Sequence, residues 1–504
     1  MIKGRKFSMS SKKNTVLRDF IDYILSKWEF IFFSFGFIAY LLYVFYAYVE
    51  APFESFIDKF YLIKLAYSGK LRFKDLLIPY TENGMLASNL FFLFNLKLFK
   101  FSVLAESLMN ALLVAIIGYM VIFKYTKLLN VRKNAFYYVS VVVMAAFLFT
   151  FMQQGGGGMS LQVRFGLTAF VVVSFMIDKV FLNKCGILYY FFTIVMIFMS
   201  INVFGSAYSF AELPFIFLII LVLIISRKKL DWKNIGIGFA YVCAGVLYFV
   251  EYGFLEGAGQ SDNAVGGGLF VKLWYFLSNI KNVITGFVFW CGSVVLGRSS
   301  IEEGWISPNM YLLVGVIVLV MIIIAIYLYF KSRMYEVTYL PIMWFGYFVI
   351  LYFIICAGRI EVLEVQGVAW VTSSWYTVHT KLIPAVILGV YLYAIDCKKV
   401  KFTFTKICIY ISGLFLFLTL AYGSFCNFIR LPSERLWVKN RQAYFFAESI
   451  DELPVDENGM TPLMQDQKTS WEAIKTLRKY HLSLFRDYDA YQIMESYRES
   501  VQNQ

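Results

Sequence analysis

The chain has 504 residues, 60% of them hydrophobic and 16% charged, with a mean hydropathy of +0.66. This balance excludes an ordinary soluble domain. The formal charge of +13 is spread as short Lys/Arg clusters between apolar runs, the pattern of the positive-inside rule, which argues against a nucleic-acid face.

Apolar runs of about twenty residues recur, each long enough to cross a bilayer as a helix, so the composition predicts an all-α polytopic membrane protein. The seven cysteines include no Cys-x-x-Cys pair, and only His379 and His481 are present. Neither a disulfide frame nor a histidine metal centre is indicated.

In chain order, residues 1–27 form a basic N-terminus read as cytoplasmic. Trp28–Val49 is a first span with no small-residue cleavage site after it, so it is expected to stay uncleaved. Glu50–Phe101 is the first outer loop. Within it Pro52 suits a helix start and Gly69 a helix end, while Phe53, Phe56, Ile57 and Phe60 recur at helical spacing. Glu54 and Asp58 are four apart and share one face of this amphipathic helix. The plain alternative is the solvated face of an interfacial helix. Glu82, in IPYTENGM, is a further outer carboxylate, read either as functional or as a turn or cap contact.

Later spans are predicted at Ser102–Phe123, Ala135–Met152, Phe165–Phe181, Ile187–Phe204, Ala211–Ser226 and Asn234–Tyr252. Four more follow at Met310–Phe330, Thr338–Cys356, Leu382–Ile395 and Ile407–Cys426, which makes about eleven transmembrane helices. With the N-terminus inside, the clusters Lys124–Lys133, Lys184, Arg227–Lys233, Lys331–Arg333 and Lys398–Lys406 all fall on the cytoplasmic side. This holds only if Leu269–Leu296 does not cross as a single span, so that stretch is read as interfacial or re-entrant. The transmembrane domain thus covers residues 28–426, with residues 427–504 as a small extracytoplasmic helical cap containing WEAIKTLRKYHL. Glu106 and Glu212 sit near outer span ends and are candidates to face a polar cavity.

The polar material gathers on the outer side, which points to work at the outer leaflet. Asp58, as an ionised carboxylate, has the chemistry to take a proton from an acceptor hydroxyl, with Glu54 and Glu82 as further candidates. Arg359, in the predicted loop Ala357–Thr380, has the planar donor fork that suits a phosphate, although snorkelling to head groups explains it equally. Later in that loop, Ser374, Trp375, Tyr376 and His379 are candidate sugar or acceptor contacts. The glycine run Gly155–Gly158, shortly before Arg164, is a candidate anion nest with a second phosphate-binding arginine, or simply a flexible turn. It lacks the GxxxxGK[ST] pattern of a nucleotide loop. No cofactor is assigned. The five outer carboxylates Glu50, Glu54, Asp58, Asp75 and Glu82 have the chemistry for Mg²⁺ or Mn²⁺, but their spacing matches no metal motif.

This layout resembles the multi-spanning GT-C type glycosyltransferases, which use polyprenyl-phosphate sugars on the outer membrane face. The resemblance implies a catalytic acid in the first outer loop, at Asp58 or else Glu54. The chain is similar in particular to a bacterial envelope-glycan group of this type. YSGKLRFKDLLIPYTENGM matches that group's first-loop pattern with Glu82 as its Glu, but Asn83 and Gly84 replace a His-Arg pair. Gly358 and Arg359 match its Gly-Arg, and Ser374, Tyr376 and Thr377 match its Ser-Arg-Tyr-Thr with Trp375 in place of the arginine. LRKYHLSLF is similar to its ending. The implied partners are a polyprenyl-phosphate-linked sugar, an envelope-glycan acceptor and the bilayer of the plasma membrane, with no nucleic acid. The alternatives are a polysaccharide polymerase or ligase and a lipid-linked-glycan flippase or transporter.

Overall fold

The structure, a computed structural model, describes residues 24–48, 60–77, 86–149, 158–204, 231–253, 276–397, 403–456 and 467–482, with positions 211, 221, 223, 274 and 461. Among them there is no strand. The helices are α1 (Trp28–Tyr48), α2 (Phe60–Tyr67), α3 (Leu86–Phe99), α4 (Val103–Tyr119), α5 (Ala135–Leu148), α6 (Gly158–Phe181) and α7 (Ile187–Met199). Then come α8 (Trp232–Gly253), α9 (Ile280–Gly292), α10 (Pro308–Lys331), α11 (Leu340–Gln366), α12 (Ile383–Asp396), α13 (Thr403–Tyr444) and α14 (Gln467–Tyr480). Five of the described helical stretches are long and apolar enough to cross a membrane: Trp28–Tyr46, Val103–Leu129, Ile187–Phe204, Pro308–Lys331 and Thr405–Arg430. Their outer faces carry side chains such as Phe35, Phe191, Ile323 and Leu418, each more than half exposed. Apolar area of that extent is a liability in water and is at rest in lipid. The predicted span Ala211–Ser226 lies largely outside the described residues.

Contacts sort the helix ends into two sets. Lys133 at the start of α5 pairs with Glu29 at the start of α1, and the Tyr137 hydroxyl donates to the same carboxylate at 2.7 Å. Arg132 lies 3.5 Å from Asp396 at the end of α12. Asp178 near the end of α6 accepts from Thr338 ahead of α11 at 3.1 Å, and the rings of Tyr190 and Trp232 meet at 5.1 Å where α7 and α8 begin. These contacts gather the basic segments around residues 124–133, 184, 231–233 and 331–333 at one end of the bundle, as the charge pattern predicted.

The other end is a cap with its own core. Leu62, Ile63, Phe92 and Leu96 of α2 and α3 pack with Phe445, Phe446, Ile474 and Leu477 of the tail. The first loop and the tail therefore share a side. Gly69, with φ +69°, follows α2 as a helix terminator should. The boundary expected at residue 427 is no break in structure, because α13 runs unbroken to Tyr444 and enters the cap as one helix with Pro432 inside it.

The stretch expected to be interfacial or re-entrant contains α9, only 13 residues long. At 1.5 Å per residue that is about 20 Å, short of the roughly 30 Å hydrocarbon core. α8 leaves the basic end at Trp232 and α10 returns there at Lys331, so the end of α8 at Gly253 and the start of α10 at Pro308 both lie toward the cap end. α9 lies within the bundle, pressed on α10 so closely that a Cβ at Gly315 would overlap the Val288 carbonyl.

Candidate functional site

Among the described residues, 367–382 form a polar segment in the cap-end half of the bundle. Gly367, at φ +82°, ends α11, and the chain continues through a 3-10 turn (Val368–Thr372), a helical turn (Ser374–Thr377) and a second 3-10 turn (His379–Leu382) into α12. Trp370, Thr372, Ser373, Tyr376, Thr377, His379, Thr380 and Lys381 are all buried. Irregular backbone at membrane depth is tolerated where protein surrounds it and its polar groups find partners.

Those partners can be named. The Lys381 ammonium donates to the Ser293 carbonyl at 2.8 Å and the Val294 carbonyl at 3.2 Å, and the Thr380 hydroxyl also donates to Ser293 O, at 3.1 Å. These carbonyls lie just past the C-terminus of α9, where the helix dipole and its unmet acceptors favour a cation. The Tyr347 hydroxyl and His379 Nδ1 are 2.8 Å apart, and Tyr347 stacks on Phe170 of α6 with centroids 3.9 Å apart. Arg298 donates to the Ser373 hydroxyl at 2.7 Å and pairs with Glu302 at 2.6 Å. Arg430 of α13 then lies 3.4 Å from Glu303, so the long helix that enters the cap is tied to the wall of the polar segment.

Arg164 belongs to the same region. It sits in the second turn of α6, is 1% exposed, donates to the Tyr40 hydroxyl and lies over the Tyr40 ring at 5.5 Å. Arg164 and Lys381 together border a cavity of about 10 Å³, walled by Val114, Leu148 and Leu382, which has room for about one water or one anionic oxygen. Glu106 and Asn110 of the adjoining α4 are buried too, at 1% and 2% exposure. α4 and α6 are fixed in register where Thr168 reaches the Leu113 carbonyl.

Several expected site residues move in consequence. Arg164 is a buried helix residue and not part of a loop with the glycine run, of which Gly158 starts α6 and the rest lies outside the described residues. Arg359 is helical as well, because α11 continues ten residues past the predicted span end at Cys356 before Gly367 stops it. Its side chain is outside the description, as are those of Ser374 and Trp375. Tyr376 and His379 are packed into the wall, at 8% and 1% exposure, so they do not lie on an open loop. Glu54, Asp58 and Glu82 fall outside the described residues, as does Glu212. Asp75, by contrast, accepts from the Arg72 amide at 2.7 Å and caps a single helical turn, a local structural use.

The sequence reading missed Lys381, Asp178, Tyr40, Arg298 and Arg430. The first two had a signal, since a charge within an apolar segment is a functional candidate by default. Among the described residues no group of three or more His, Cys, Asp or Glu side chains converges as a metal site. Comparison with protein-family models, curated proteins and solved structures gives no match to this chain.

Proposed function

We propose that the chain is a glycosyltransferase that moves a sugar from a polyprenyl-phosphate donor to an envelope glycan or lipid-linked acceptor at the outer face of the plasma membrane. The observation that supports this reading best is the gathering of first loop, tail and polar segment 367–382 at the end of the bundle opposite the basic clusters. The positive-inside rule puts that end outside, with about eleven spans between the two faces. In sequence Asp58 precedes α2 by two residues, and Arg359 lies in the last turns of α11, which ends at the cap end.

In this reading Asp58 takes the proton of an acceptor hydroxyl as its oxygen attacks the anomeric carbon. The bond from that carbon to the phosphate oxygen breaks, and polyprenyl phosphate leaves with the added negative charge. Arg359 meets that charge with paired donors. Glu54 and Glu82 are the further carboxylates available to hold the acceptor. The direct test is the envelope glycan composition of cells carrying wild type, Asp58→Asn, Arg359→Ala or a deletion, at matched protein levels. Loss of the same sugar substituent in all three altered strains is the expected result, and wild-type glycan in both point variants removes this site assignment.

The buried charges favour a second reading. Glu106, Arg164 and Lys381 lie inside the bundle at 1% exposure each, where a lipid-linked-glycan transporter would carry a polar path. A transporter leaves the sugar–phosphate bond intact, so an unchanged glycan with lipid-linked intermediates accumulating inside the cell would favour it.

A further inference from the structure

At the basic end, far from the polar segment, a cleft of about 830 Å³ opens between the start of α1, the turn after α4 and the start of α5. Its volume is in the range of sites built for a small ligand. Lys27, Lys127 and Lys133 line it, all exposed, together with Glu29. The Glu29 carboxylate is met within the wall by the Lys133 ammonium and by the Tyr137 hydroxyl at 2.7 Å. Three lysines against one glutamate leave a balance of 3 − 1 = +2 in the cleft.

The remaining wall has a different character. Phe30, Ile31 and Phe123 line the cleft, and Phe30 and Ile31 are 61% and 38% exposed on the flank of the first span. The cleft is therefore cationic at its rim and apolar where it meets lipid. A soluble anion satisfies the lysines and leaves the aromatic wall unfilled. A lipid satisfies both, because its phosphate reaches the ammonium groups while its chains lie along Phe30 and Ile31.

We infer that this cleft holds the anionic head group of a bilayer phospholipid of the leaflet at the basic end, with Lys27 and Lys127 facing the phosphate and Phe30 the chain. The inference stands apart from the proposed transferase site and does not depend on it. Neither lysine lies in the packed core, so replacing both leaves the bundle intact.

The test uses the full-length protein in nanodiscs of phosphatidylcholine doped with a small fraction of phosphatidylglycerol, with bound lipid read by native mass spectrometry. Wild type is expected to retain phosphatidylglycerol selectively. The double variant Lys27→Ala/Lys127→Ala is expected to retain it about tenfold more weakly, and the double arginine variant to restore it. Phe30→Ser is expected to weaken retention with the charge unchanged. Equal thermal unfolding of all variants in pure phosphatidylcholine shows that folding is not the cause. Undiminished retention in the double alanine variant would overturn the inference. So would full displacement by millimolar inorganic phosphate, or preference for a polyprenyl phosphate over phosphatidylglycerol.

Discussion

Burying an ammonium or a carboxylate is costly unless the protein replaces its water with well-placed partners. Lys381 meets this requirement at the carbonyls that end α9, and Asp178 meets it at the start of α11, where the Tyr339 amide and the Thr338 hydroxyl donate to it. Each charge sits at the helix end whose dipole favours it. Lys381→Met, which keeps length and loses the donors, is expected to destabilise the bundle by about 2 kcal/mol. Asp178→Ala is expected to cost a similar amount and Asp178→Asn less, since the amide keeps one acceptor. Thermal unfolding in detergent reads both, and an unchanged midpoint for Lys381→Met would contradict the assignment of that residue. On the cap, the Lys64 ammonium, 3.1 Å from Glu472, holds that carboxyl below the ordinary glutamate range. A carboxyl with a lowered folded-state pKa contributes stability above its unfolded value and loses it as pH falls through the folded one. Docking of α14 on α2 is therefore expected to loosen on acidification, slightly because the pair is exposed, and Lys64→Ala is expected to flatten that dependence in hydrogen exchange of α14.

At the scale of elements, two packings carry the architecture. α9 and α10 approach so closely at Gly315 that Gly315→Ala forces the Val288 backbone away, an overpacking cost of about 1–3 kcal/mol. A variant as stable as wild type would mean the pair is looser than described. Leu477, 1% exposed in the cap core, holds the tail on the first loop. Leu477→Ala is expected to cost about 2–5 kcal/mol locally, so that limited proteolysis cuts within residues 445–482 while the membrane bundle stays whole. The tail helix was legible because WEAIKTLRKYHL has helical spacing, and five of the expected spans were legible because length and apolarity are the membrane's own demands. The end of α11 was not. Gly358, Arg359 and the acids after them read as a loop because hydropathy reports where lipid ends, and a helix can continue in protein or water beyond that point. Lys381 was illegible as a cap because its carbonyl partners are 87 and 88 residues away in the chain.

At the scale of the whole molecule, the contacts divide the bundle into a basic end and a capped end. Single cysteines placed at Lys127, Lys184 and Lys331 are expected to react with a membrane-impermeant maleimide from one face of oriented vesicles, and cysteines at Lys64 and Glu472 from the other. Mixed sidedness within either set would break the topology. The charge pattern made this division readable, while the polar segment 367–382 and its ties to α9 and α13 came only from the fold. The central claim, that the capped end breaks a sugar–phosphate bond, is tested most directly by product. The purified chain, reconstituted with lipid-linked sugars extracted from deletion cells and with the envelope acceptor, is followed by mass spectrometry for released polyprenyl phosphate. Release by wild type and its loss in Asp58→Asn is the predicted result. No release, or equal release by Asp58→Asn, would contradict it.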